Sequence, residues 1–126
     1  MSPRTCLVAG ALLSALAVAL GAFGSHALRG ALDARALGWY ATANDYHARH
    51  ALALVACGLL GATRGDRAAL RWAGACLAVG TALFSGSLYA MALTGATALG
   101  AVAPLGGALL IAGWCALAAG ALPPRR

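Results

Sequence analysis

NDYHARH, residues 44–50, runs without a break into ALALVACGLLGAT, residues 51–63, and the join between them decides the fold. The apolar part has 13 residues. As a helix it rises about 20 Å at 1.5 Å per residue. The hydrocarbon core of a bilayer is about 30 Å thick and takes roughly 20 residues to cross. The stretch therefore spans a membrane only if its polar head enters the span. Asp45, His47, Arg49 and His50 then sit at the rim of the hydrocarbon or just inside it. Ionisable groups are costly at that depth and mark a functional site by default.

The rest of the chain demands the membrane reading. Of 126 residues, 62% are hydrophobic and 10% charged, against about 25% charged in a soluble domain. A small soluble domain leaves much of its surface in water and cannot hide so much apolar area. Four apolar segments stand out: Thr5–Ala27, Asn44–Thr63, Ala69–Thr94 and Gly100–Leu122. They predict an all-α fold, a single-domain integral membrane bundle of four transmembrane helices near residues 5–27, 34–63, 69–94 and 100–122. Thr5–Ala27 is longer than the apolar core of a usual signal peptide, and three more spans follow, so it reads as a retained helix.

The net charge of +6 comes from nine Arg and no Lys, set against three Asp. In a four-span arrangement Arg4, Arg64, Arg67, Arg71, Arg125 and Arg126 fall on one side, and Arg29, Arg35 and Arg49 on the other. Arg clustered at span ends fits the positive-inside rule better than nucleic-acid binding. The bias predicts both termini in the cytoplasm and a multi-pass protein of the bacterial inner (cytoplasmic) membrane. The expected partners are the lipid bilayer and either a second copy or a larger membrane complex, with no nucleic acid. Cys6, Cys57, Cys76 and Cys115 lie one per helix with no CxxC pair. They read as small apolar contact residues, and no metal or cofactor is expected.

Small residues recur at helical spacing. Gly10, Ala17 and Gly24 repeat every seven residues in helix 1, as do Gly106, Gly113 and Gly120 in helix 4. Such faces let helix backbones approach closely in lipid. Asp33 suits the N-cap of a long second helix starting near Ala34. Trp39 and Tyr40 then fall at the depth of interfacial aromatic anchors. The short polar turn Arg64-Gly65-Asp66-Arg67 makes helices 2 and 3 antiparallel neighbours. Pro104 opens helix 4 or kinks it near its start.

Three blocks carry a resemblance. They are Gly21-Ala22-Phe23-Gly24-Ser25-His26-Ala27-Leu28; Tyr46 with His50-Ala51-Leu52-Ala53-Leu54; and Phe84-Ser85-Gly86-Ser87-Leu88-Tyr89, followed by Pro104-Leu105-Gly106-Gly107 and Trp114. In that order and spacing the chain resembles the YgdD-like family of small integral membrane proteins of bacteria, which has mitochondrial relatives. The resemblance covers nearly the whole chain. It implies a four-helix inner-membrane protein and brings no activity, ligand or catalytic residue with it. At one position the chain departs: His47 stands where the family is expected to carry Gln. The better-matched polar residues are His26, Tyr46 and His50.

The candidate site is a polar cluster in the outer half of the bundle: His26, Asp45, Tyr46, His47, Arg49, His50, Ser85, Ser87 and Tyr89. Asp45 and Arg49 are an i,i+4 pair with the acid N-terminal, and they read first as a self-neutralised pair. His47 and His50 lie on another face of the same helix. Ser85 and Tyr89 share a face of helix 3. The leading reading is a structural or accessory protein, not an enzyme, whose polar network fixes helix register. The alternative is a binder or carrier of a small solute, proton or lipid headgroup that uses His26 and His50. A metal, haem or quinone site needs those two histidines in one cavity. Hydrolysis at Ser85 lacks a strand–turn–helix elbow.

Overall fold

The computed structural model describes residues 1–65 and 67–122. Asp66 of the predicted turn, and Arg125 and Arg126 of the charge bias, lie outside the described residues. The chain forms four helices: α1 (Pro3–Phe23), α2 (Ala34–Arg64), α3 (Ala68–Thr94) and α4 (Ala103–Ala121). One π-helical turn, Gly24–Leu28, extends α1, and a 3-10 turn, Thr97–Ala101, precedes α4. No strand occurs among the described residues.

Local chemistry sets the helix ends. Ser2 caps α1, accepting from the Thr5 N–H at 3.1 Å, and Pro3 occupies the first turn, where its missing N–H costs nothing. Asp33 caps α2 as its sequence position predicts, accepting from the Ala36 N–H at 2.8 Å. α3 ends at Gly95, whose φ of 75° is left-handed and whose N–H reaches the Met91 carbonyl at 2.9 Å. Pro104 sits in the first turn of α4 and opens the helix.

The helices pack in chain order: α1 on α2, α2 on α3, α3 on α4. α2 and α3 form the centre and α1 and α4 the flanks. The α3–α4 seam is set by glycine. Gly106, Gly113 and Gly120 face Phe84, Leu77 and Leu70, a step of seven on both antiparallel helices. A Cβ on Gly113 would lie 2.8 Å from Leu77 Cγ, and one on Gly106 would strike the Phe84 backbone. On the other flank, a Cβ on Gly10 would lie 2.8 Å from the Ala51 carbonyl, and one on Gly24 would meet the Tyr40 ring. Both predicted small-residue faces are the contact faces, as close packing in lipid requires.

Outward faces are apolar: Val18, a β-branched hydrocarbon, is 74% exposed. Three stretches, Pro3–Leu28, Ala68–Thr94 and Thr97–Ala121, are long and apolar enough to cross a bilayer. α2 is outside that set because its apolar part is short and its head polar. At the α2–α3 turn, the Arg64 guanidinium donates to the Ala121 carbonyl at 2.6 Å and that of Arg67 to the Gly120 carbonyl at 3.1 Å. These arginines satisfy carbonyls that α4 leaves open at its C-terminus, where positive charge is also favoured by the helix dipole.

A candidate polar site between the first three helices

At the end of the bundle away from Arg64, side chains from α2 and α3 close a buried polar layer. Tyr40 starts it. The sequence places Tyr40 as an interfacial anchor, but the residue is 4% exposed and belongs to the core. Gly24 leaves room for its ring, and its hydroxyl donates to the Leu20 carbonyl at 2.8 Å. That carbonyl lies where the α1 ladder gives way to the π-turn. Trp39, the other expected anchor, is half-buried with the Arg35 guanidinium 5.1 Å from its ring centre.

Tyr89 of α3 meets Tyr40 edge-on, with ring centres 4.9 Å apart. Its hydroxyl donates to Asn44 Oδ1 at 3.0 Å. His47 Nδ1 lies 3.4 Å from the same hydroxyl. The single phenolic proton is committed to Asn44, so the bonding assigns the Nδ1–H as donor to the Tyr89 oxygen. His47 Nε2 is then the bare acceptor. It is buried and meets no protein donor, and the buried Ser85 Oγ has no protein partner either.

The remaining predicted residues take separate places. The His50 Nδ1–H donates to the Tyr46 carbonyl at 2.7 Å, and the ring packs edge-on to Trp114 of α4. The Tyr46 ring lies against Phe84, with centres 4.4 Å apart. Ser87 Oγ donates to the Phe84 carbonyl at 2.9 Å. Asp45 and Arg49 pair at 2.7 Å with side chains 50% and 65% exposed, a surface ion pair. His26 sits exposed in the π-turn and makes no hydrogen bond or ring contact among the described residues. The polar layer therefore draws on α1 through the Leu20 carbonyl rather than through His26. Asn44 joins the layer although the sequence reading passed over it. Its signal was available: positions 40, 44 and 47 share one helix face, and an amide on that face calls for a partner. No group of three metal-binding side chains occurs among the described residues.

Four packed helices, apolar outside and tied by polar bonds within, define a multi-pass helical membrane protein. Residues 20–107 match the family described as "Protein of unknown function (DUF423)". The chain is 40% identical over 111 residues to "UPF0382 membrane protein SH2409" of Staphylococcus haemolyticus, covering 88% of this chain and 89% of that protein. It is 37% identical over 126 residues to "UPF0382 inner membrane protein YgdD" of Escherichia coli strain K12, covering 100% of this chain and 95% of that one. No solved structure matches it. The chain belongs to the DUF423 family of membrane proteins.

Proposed function

We propose that this chain is a non-catalytic accessory protein of the bacterial inner membrane, with both termini cytoplasmic, whose outer-half polar layer fixes how its helices assemble. The relatives' names support the location and the Arg distribution supports the orientation. The role is carried by one observation: the Tyr89 hydroxyl is shared between Asn44 and His47 across the α2–α3 interface. In lipid the helices gain nothing from hiding apolar surface, so close packing and such bonds hold them together. Most polar side chains of the cluster are spent on fixed local or interhelical contacts. A carrier built on His26 and His50 has less support, because the two sit in different settings.

The test is thermal unfolding in mild detergent. Tyr89→Phe should lower Tm by about 3 °C, the size expected for losing one interhelical bond in a chain of this length. His26→Ala, at an exposed position, should leave Tm unchanged. A Tyr89→Phe protein as stable as the parent, or an equal loss from His26→Ala, contradicts the reading.

A further inference from the structure

At the end of the bundle away from Arg64, two arginines have partners and one does not. Arg49 pairs with Asp45, and Arg35 lies over the Trp39 ring. The Arg29 side chain makes no hydrogen bond, ion pair or ring contact among the described residues. It lines a groove of about 560 Å³ between α1 and α2, together with Gly21, Tyr40, Asn44 and Asp45. Asp45 is matched by Arg49 and the Tyr40 hydroxyl by the Leu20 carbonyl, so the charge of Arg29 is left unmatched in this groove.

A second free donor opens into the same groove. The Tyr89 hydroxyl occupies Asn44 Oδ1, which turns the amide nitrogen toward α1, 2.9 Å from where a Cβ on Gly21 would stand. That nitrogen has no protein acceptor, yet it is not sealed in the interior as His47 Nε2 and Ser85 Oγ are. Gly21, Asn44 and Ala48 also begin a second, apolar groove of about 330 Å³, which runs on past Ala17, Val18 and Leu52.

We propose that the two joined grooves seat one glycerophospholipid, with its phosphate at Arg29, an ester carbonyl at the Asn44 amide and an acyl chain between Val18 and Leu52. Depth agrees with this order. About 20 helical residues cross the hydrocarbon, and that number counted back from Arg64 reaches Asn44. Asn44 thus stands at the hydrocarbon edge, where the esters of a lipid lie. Arg29 stands eight residues beyond Gly21 on α1, farther out, where the phosphates lie. Leu52 is about 12 Å inside Asn44 along α2. A guanidinium with no acid beside it matches a phosphate in both charge and donor geometry. A free phosphate would leave the Asn44 donor and the apolar groove unused, whereas a phospholipid uses all three.

The measurement is native mass spectrometry of the full chain in detergent, titrated with dioleoylphosphatidylglycerol and, in parallel, with dioleoylglycerol. The second has the same esters and tails and no phosphate. Wild type should retain one phospholipid and hold the diacylglycerol about tenfold less tightly, the scale of a hydrogen bond to a charged group. Arg29→Gln should bring the phospholipid down to the diacylglycerol level. Its Tm should not change, because Arg29 has no protein partner to lose, so a lost adduct would not come from a damaged fold. Arg35→Gln removes an equal charge from the same end outside the groove and should leave retention as it is. Asn44→Asp keeps an oxygen for the Tyr89 hydroxyl and loses the amide donor, so it should weaken even the uncharged diacylglycerol about fivefold, the worth of one hydrogen bond. Equal retention of the two lipids by wild type, or an equal loss from Arg29→Gln and Arg35→Gln, overturns the proposal in favour of unspecific lipid around a basic end. Diacylglycerol binding unchanged in Asn44→Asp, or no phospholipid retained by wild type, overturns it as well.

Discussion

Asn44 of α2 and Tyr89 of α3 meet at 3.0 Å, amide oxygen to phenolic hydroxyl, across the central interface of the bundle. Besides the Tyr40–Tyr89 and Tyr46–Phe84 ring contacts, the two helices are joined largely by small and aliphatic residues that set a distance and say little about register. The bond has one geometry, and the His47 ring at the same hydroxyl narrows it further. On the function proposed above, glycine brings α1 to α2 and α4 to α3, and the polar layer decides where α2 and α3 stop along each other.

The helical glycines divide by what surrounds them. Gly106 faces the backbone of Phe84, whereas a Cβ on Gly38 meets nothing within 4 Å. Gly106→Ala should force α3 and α4 apart and cost about 1–3 kcal/mol. Gly38→Ala should raise stability by about 0.5–1 kcal/mol through helix propensity alone. Parallel thermal melts measure both, and a matching sign for the two substitutions contradicts the seam.

Asp45 and Arg49 carry opposite charges at the head of the span, yet their pair is exposed. An exposed i,i+4 pair contributes about 0.3–0.5 kcal/mol. Asp45→Asn should therefore change Tm by about a degree at low salt and by less at high salt. A large loss that persists in high salt would place the pair in a buried functional role.

Arg67 donates to carbonyls at the end of α4, including that of Gly120. Arg67→Ala should unpair the last turn of α4 and cost about 1 kcal/mol. Hydrogen exchange should quicken at residues 117–122 and stay unchanged at 106–113. Uniform exchange across α4 would mean that the arginine acts only through charge bias between the two membrane faces.

Much of the fold was legible because its signals are local. Asp33 as a cap, Pro104 as an opener and the seven-residue glycine repeats need only the residue and its spacing. Helix rotation was harder to read. In a membrane protein the lipid face is as apolar as the core, so hydrophobic periodicity does not say which side faces in. That is why Tyr40 read as an interfacial anchor: a ring with a polar tip suits the headgroup region and the core equally, and only Gly24 and the Leu20 carbonyl decide between them. The candidate site was partly legible for the same reason. His47, Ser85 and Tyr89 were named from residue type and face and stand together at one cavity. His26 was grouped with them by depth, but depth says nothing of rotation, and the π-turn leaves it outward. Asn44 was in view in the opening stretch and lacked a charge to draw the eye.

The most direct test of the account is a double-mutant cycle on Asn44→Ala and Tyr89→Phe, read by reversible unfolding in detergent. The two side chains touch, so their effects should not add, with a coupling of about 0.6–1.7 kcal/mol, the range for interhelical hydrogen bonds in membranes. Losses that add to within about 0.3 kcal/mol would mean that the two residues act independently, and the polar layer would not be what fixes α2 against α3.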